Sequence, residues 1–414
     1  MRLFKGDIIH TKTPNQFEVF EDGYILEDNG IVVEVGFELD KKYPIVKIID
    51  HTGRLLLPSF VDLHTHAVQY ANLGLGLDEE LLSWLEIYTF KEEAKFSDIS
   101  YAKKVFSYLL DDIVKAGTTR VIFFGSIHEE ATELLIEMSI AKGIGAYIGK
   151  VNMDRNTPDS LLEDSDNSVA ITKRLLRVGN DKVKSIITPR FAPSCSEKLM
   201  RELGELEDKL EVQTHISENR DEIKWIEELF PDAKSYLDVY LKNGLISNRT
   251  ILAHAIFSTK EELSVIKEKG AFIAHCPSAN VNLTSGVMDA KFYLDQGINL
   301  GLGTDVGAGD SLSIRKNIVL AIQMSKINHI ISNEKKILSF SEAFYLATKG
   351  GGLYFGKVGS FEKGYKLDML VIEKDKLADI KDFSLVEKLQ RFIYSGNDEM
   401  ILERYCEGVK LFFY

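Results

Sequence analysis

His64 and His66 close the apolar run "LPSFVDLHTH" with one threonine between them. In an extended strand, residues two apart share a face. Both imidazoles therefore point the same way beyond a buried run, where they can hold a metal. Comparable endings recur along the chain. Short apolar runs end in Ser126 with His128 just beyond, in Lys150, Asn152 and Asp154, in Arg190 and Phe191, in His215 with Glu218, in His254, in His275 and in Asp305. A single histidine at a strand tip is ordinarily a satisfied polar residue. Six of the nine histidines at such tips is a different matter, and points to one rim carrying a site. Three imidazoles and a carboxylate suit zinc, with a fourth position open to water. His64, His66, His215 and Asp305 are the candidate ligands. Water held there loses a proton near neutral pH and becomes a nucleophile. Glu218, three residues past His215, is the candidate proton shuttle, and His254 the candidate partner of the hydroxide or the substrate.

Elements of a particular kind must position these groups. Eight apolar runs, over 55–66, 118–126, 145–154, 183–191, 210–219, 250–257, 270–278 and 298–305, read as strands. Amphipathic segments such as 99–117 and 132–143 lie between them, and several end in glycine before the next strand. Eight βα units in series predict an α/β protein with a (β/α)8 barrel, whose chemistry sits at the C-terminal strand ends. A doubly wound sheet is the alternative topology. The barrel is expected over 57–355, with residues 1–56 and 356–414 joining in a small β domain. "YILEDNGIVVEVG" reads as a hairpin turning at Asn29-Gly30, and "GKVGSFEKGYKLDMLVIEKDK" returns to turn-rich β. Gly350 to Gly352 lack the lysine and strand context of a phosphate loop and read as a turn after a helix.

The chain has 414 residues, 45% hydrophobic and 27% charged, as in an ordinary globular protein. Its 63 acidic against 50 basic side chains, a formal charge of −13, argue against non-specific nucleic-acid binding. Cys195, Cys276 and Cys406 form no CxxC, which fits a reducing compartment. No apolar run is long enough to span a bilayer, and the N-terminus lacks a signal-like apolar region. A cytoplasmic protein without membrane partners is expected.

The set "PSFVDLHTH", "THISEN", "LAH", "AHCPSANV" and "GLGTD" resembles the amidohydrolase superfamily over the whole chain. The resemblance implies a metal held by an HxH pair, a strand-five histidine and a strand-eight aspartate. It favours the single-metal branch that deaminates rings, because strand four ends "ITPRF" and offers no bridging lysine. One Zn2+ per subunit, with Fe2+ as the substitute, and a homodimer are implied as well. Within the superfamily, "HTHAVQYANLGLGLDEELLSWLEIYTFKEEAKF", "GKVNMD", "TPRFAPSCSEKLM" and "THISENRDEI" resemble the guanine-deaminating members, with Val68 where those have proline. By that resemblance Gln69 and Arg190 bind the polar edge of the purine and Phe191 lies against its ring. The implied reaction is attack of a zinc-bound hydroxide on C2 of guanine. Asp305 takes a proton from the water, Glu218 carries protons to N3 and to the leaving amine, and xanthine and ammonia depart. The nearest alternative is a deaminase or chlorohydrolase of another nitrogen heterocycle, such as a pterin, a triazine or an adenosine derivative.

Other residues have plainer readings. Trp84 and Tyr88, at helical spacing, read as packing. Lys150 reads as structural or as a group behind the ligands, while His128 and His275 stay open between structure and function. His10, His51 and His329 read as non-catalytic, and Cys276 has no base arranged to make it a nucleophile.

Overall fold

The computed structural model describes residues 1–39, 43, 47–206, 211–373 and 380–413. Four strands open the chain: β1 (Arg2–Thr13), β2 (Gln16–Asp28), β3 (Ile31–Gly36) and β4 (Lys47–Pro58). The turn between β2 and β3 falls at Asn29 and Gly30, whose φ of 51° and 80° suit a tight hairpin of right-handed twist. A Cβ at Gly30 would stand 2.3 Å from the carbonyl of Glu407, so no other residue fits there.

The barrel strands follow: β5 (Phe60–His66), β6 (Thr118–Phe124), β7 (Gly145–Gly149), β8 (Val151–Asn152), β9 (Val183–Ser185), β10 (Thr188–Pro189), β11 (Val212–Ile216), β12 (Thr250–His254), β13 (Phe272–His275) and β14 (Asn299–Leu302). Each expected run carries strand structure, with the third and fourth broken into two pieces. The fifth was expected from Leu210, which lies outside the described residues. All neighbouring pairs run parallel. The ring closes between β14 and β5, where Asp305 N donates to His64 O and His66 N to Val306 O, each at 2.8 Å. It is continuous between β10 and β11 through Ile187 N to Glu211 O at 3.0 Å. This is the closed barrel, and the doubly wound alternative falls away.

Helices cover the outside for the reasons the sequence suggests. Ile99–Lys115 begins at Asp98, whose side chain caps the free amides of Ser100 and Tyr101, and buries Val105, Phe106, Leu109 and Ile113. Glu129–Lys142 and Lys260–Lys269 end at Gly143 and Gly270, both left-handed. The barrel interior is filled by Val61, Leu63, Ile122, Phe124 and their neighbours. It is a packed core, so the site is confined to the rim.

A seven-stranded sheet joins both ends of the chain in the order β17-β16-β15-β4-β1-β2-β3, where β15 is Met369–Ile372, β16 Ile401–Cys406 and β17 Val409–Lys410. Two details differ from the sequence expectation. β4 runs to Pro58, past residue 56, because Leu57 and Pro58 pair with Leu370 and Met369. The C-terminal segment also holds a helix, Leu385–Ser395, whose buried Leu389 and Phe392 cover the sheet. The end of "VIEKDK" lies outside the described residues. Gly350 to Gly352 are not a turn. They continue the helical stretch that starts at Phe340, and a Cβ at Gly350 would meet Leu300 O at 2.7 Å. The glycines let that helix lie against the backbone of β14.

Candidate active site

The pleat of β5 places His64 and His66 on one face, and both are buried. His215 comes from β11, His254 ends β12, and Asp305 lies three residues beyond β14. Their polar atoms converge. Asp305 Oδ1 stands 3.2 Å from His64 Nε2 and 3.3 Å from His66 Nε2, and the Nε2 atoms of His66 and His215 are 3.2 Å apart. His254 and Asp305 both have left-handed backbone, with φ of 69° and 50°. Strained non-glycine backbone of this kind is held in place by surrounding structure and concentrates at functional sites.

Outer partners aim the rings. His215 Nδ1 donates to the carbonyl of Arg190 at 2.6 Å, which leaves the Nε2 lone pair facing inward. His254 Nδ1 donates to Asn280 Oδ1 at 2.8 Å, which turns its Nε2 inward toward Glu218 and Asp305. Tyr240 accepts from Ala192 N and donates to His215 O at 2.8 Å, fixing β11 against the segment that carries Arg190. Asp62, buried below His64, accepts from the amides of His64 and Thr304 and from the Thr304 hydroxyl, tying β5 to the end of β14. Burial pushes its carboxyl up to about 7.

The donor set fits a metal. His64 Nε2 is buried and makes no hydrogen bond. Burial, with the neighbouring histidines adding to it, holds His64, His66 and His215 well below the usual imidazole range, so their lone pairs are free at neutral pH. An unpartnered buried nitrogen and two facing Nε2 atoms are costly unless a cation lies between them. His64, His66 and Asp305 can share one ion, as can His64, His215 and His254. Sequence reasoning did not anticipate His254 within ligand reach. Nor did it place Cys276, whose thiol lies near His254 and Asp305. Burial raises that thiol well above its ordinary value, and it stays protonated.

Glu218 follows β11 directly. Its Oε2 stands 3.5 Å from His254 Nε2, and its Oε1 accepts from Ser285 at 3.2 Å. Burial pushes its carboxyl up to about 7, Asp305 and Glu222 adding to the shift. Burial also works to lower His254, but Glu218 and Asp305 outweigh it and the imidazole ends above its usual value. Glu222 holds the turn, accepting from Glu218 N at 2.9 Å and from Tyr236. Asn219 and Glu222 form a capping box, a pattern readable in "NRDE".

A pocket opens beside these groups. Gln69, Arg190, Phe191 and Glu222 line one part of it, and Leu81, Trp84, Leu85 and Leu283 supply apolar walls. Trp84 packs as expected, its indole N–H donating to Leu75 O at 3.1 Å, yet it also faces the cavity. Arg190 and Gln69 converge on one residue that sequence reasoning missed, Glu93. Arg190 Nη1 donates to Glu93 Oε2 at 2.6 Å and Gln69 Nε2 to Oε1 at 2.8 Å. Nothing in "FKEEAKF" distinguishes Glu93 from a solvated helix acid.

The open histidines and lysine resolve differently. Lys150 is structural, bonded to Val151 O and to Glu163. His275 is buried, and burial lowers it to about 3. His128 is half-buried and lines a separate cavity with Phe96 and Glu163. His10 and His51 lie in the small sheet, away from the rim.

Known proteins are similar to this chain. The amidohydrolase family model matches residues 55–409. A guanine deaminase of Dictyostelium discoideum is 37% identical, covering 100% of this chain and 98% of its own. The Homo sapiens guanine deaminase is 36% identical over 98% of this chain and 95% of its own. Among solved structures, guanine deaminase from C. acetobutylicum, with guanine bound in its active site, superposes with a TM-score of 0.97 at 48% identity, covering 99% of this chain and all of its own.

Proposed function

The chain belongs to the amidohydrolase family, and on that footing we propose that it hydrolyses guanine to xanthine and ammonia. The observation that carries this reading is the junction of two half-sites in one cavity. A cluster of neutral imidazoles with a carboxylate lies on one side, and a Gln69–Arg190 polar edge on the other. Relatives that act on guanine by name, and a neighbour that holds guanine, support the choice of ring.

His64, His66, His215 and Asp305 would hold the metal. A zinc ion there would supply an activated water as the nucleophile. Iron(II) is the alternative, since histidine-rich sites accept both. The remaining chemistry belongs to the side chains. Asp305 takes the proton released from the attacking water. Glu218 gives its proton to ring N3, then takes the proton of the oxygen added at C2 and hands it to the departing amine as the C2 carbonyl forms. The proton held by Asp305 returns to Glu218 once ammonia has left, and the raised carboxyl of Glu218 suits this relay. His254 donates to the oxygen that develops charge, and it is the most protonated imidazole of the cluster. Arg190 donates toward the carbonyl O6 of guanine, and Gln69 offers its second N–H and a free lone pair. Phe191 lies against the ring. An adenine amine in place of O6 would set donor against donor at Arg190, so the pocket discriminates against it. A pterin or triazine substrate would use the same metal pole and is the reading that failure with guanine would revive.

The proposal also takes one metal per subunit, a homodimer and a cytoplasmic setting, and it treats the barrel as a unit between the two sheet-forming ends. Among the described residues no helix is long and apolar enough to cross a membrane. Ammonia release by the purified, zinc-loaded protein, with guanine beside adenine, cytosine and a triazine, tests the substrate. Release from guanine with xanthine as co-product is expected. Release from another ring alone overturns the choice of guanine. Metal analysis and light scattering test the stoichiometry and the dimer.

A further inference from the structure

Glu93 does not line the cavity, yet it touches both groups assigned to the polar edge of the ring. It sits at the end of the helical segment Phe90–Glu93, within the long excursion between β5 and β6, and is buried. Each carboxylate oxygen has one cavity-lining partner. Oε1 accepts from Gln69 and Oε2 from Arg190. Gln69 is held from its other side as well, because its Oε1 accepts from Gly307 N at 3.1 Å. The amide can therefore take only one orientation. Flipping it would place its oxygen against the carboxylate and its NH2 against an N–H. The guanidinium is likewise fixed, with Phe90 stacked 5.3 Å from its centre.

The charge balance matters as much as the geometry. Arg190 is 3% exposed, and Glu93 is the acidic partner in its ion pair. A buried cation with no partner would favour an anion in the cavity. Paired with Glu93, it presents N–H donors without net charge, which suits a neutral ring. We propose that Glu93 is a specificity-determining positioning residue: it fixes Gln69 and Arg190 as a neutral hydrogen-bonding edge that selects a neutral purine over an anionic one. The inference rests on the guanine reading and deepens it. Deamination exchanges an amine for a carbonyl and a ring N–H, so the product is a stronger acid than the substrate. A neutral edge also favours release of that product once it ionises.

Glu93→Gln keeps the shape and removes the charge. With guanine, KM is expected to rise about tenfold or more, as when one partner of a charged hydrogen bond is lost, with a smaller change in kcat and an unchanged metal content. The ratio of xanthine Ki to guanine KM is expected to fall about tenfold, and to fall further as pH rises and xanthine ionises. A purely structural role would not reverse a preference by charge. The pair Glu93→Gln/Arg190→Gln should cost little more than Arg190→Gln alone, since one residue acts through the other. Additive losses, or an unchanged Ki to KM ratio in Glu93→Gln, would overturn the proposal. Should that variant fail to fold, Glu93→Asp carries the test. It keeps the charge but cannot span both partners, so KM should rise while xanthine is still rejected; an unchanged KM overturns the positioning role. Wild-type turnover of guanine, measured alongside, separates this outcome from failure of the guanine reading itself.

Discussion

At the N-terminal ends of the barrel strands, Arg120 of β6 donates from Nε to Asp368 at 2.5 Å, and from Nη2 to Asp368 and Glu407 at 3.1 and 3.0 Å. Thr119 and Ser59 complete the cluster, and Gly145 leaves room for the guanidinium. Burial works to raise Glu407, but Lys366 and Arg120 draw it down to about 2. At the other ends of the same strands, His64 Nε2 has no hydrogen bond, the Nε2 atoms of His66 and His215 face each other at 3.2 Å, and Glu218 is pushed up to about 7. Both clusters are buried and charged. One is closed on itself and joins the sheet to the barrel; the other turns its donor atoms toward one another. A buried polar cluster that satisfies its own members is structure, and one that leaves them unsatisfied is a binding site for whatever completes it.

The contrast predicts that substitutions at the rim cost activity and spare stability, while those at the base do the reverse. The largest effect is expected from His66→Leu, which removes one of the proposed ligands in a conservative volume. Guanine turnover should fall by on the order of a thousandfold or more, and bound metal should be lost. The metal-free thermal midpoint should stay at or above that of the metal-free wild type, since an unpartnered imidazole has been taken out of the interior. A metal-free variant that melts well below its metal-free parent would show that the rim cluster is structural too.

Glu218→Gln comes next. It keeps the site's volume and removes the proposed proton carrier, so kcat should fall by about 10^2 to 10^4-fold with metal content intact. Full turnover in the metal-loaded variant would reassign the shuttle, and His254, 3.5 Å away, would be the next residue to vary.

The two ends were not equally legible. The strand-borne half of the rim follows from period-two alternation and from apolar runs ending in His64, His66, His215 and His254. Every strand of a barrel delivers its C-terminal residue to one rim, so one-dimensional spacing becomes three-dimensional proximity. Glu93 escaped because it arrives on a helical excursion, 24 residues from Gln69 and 97 from Arg190, and no local pattern encodes such a meeting. Trp84 read as packing for the same reason. Arg120 and Asp368 are 248 residues apart, and nothing in "TTRVIFF" says which way the guanidinium lies. Gly350 to Gly352 misled in the opposite direction, because their composition signals a turn while their role is to let a helix approach β14.

Arg120→Met tests the base. It leaves Asp368 buried without its cation, and breaking such a pair costs about 3–5 kcal/mol. Urea unfolding should register that loss, while kcat and KM of the folded fraction stay within about twofold of wild type, since the guanidinium is at the far ends of the strands from the rim histidines. A stable Arg120→Met variant with impaired turnover would break the division between base and rim.

The smallest effect is expected where β1 meets the loop before β15. His10 Nδ1 lies 3.0 Å from Ser360 Oγ and its Nε2 3.4 Å from Glu18. Burial lowers this imidazole to about 4, against a partial opposing pull from Glu18. Between pH 4 and about 6.5 the unfolded chain binds a proton that the folded chain refuses, so this contribution to stability is complete above about 6.5 and declines as the pH falls. At pH 5 the decline should amount to about 2 kcal/mol relative to neutral pH. His10→Gln removes the titration and leaves every other group in place. The wild type should therefore lose about 2 kcal/mol more than the variant when urea midpoints at pH 7 and pH 5 are compared. Equal losses would mean that His10 is protonated at pH 5 in the folded state, as an ion pair with Glu18.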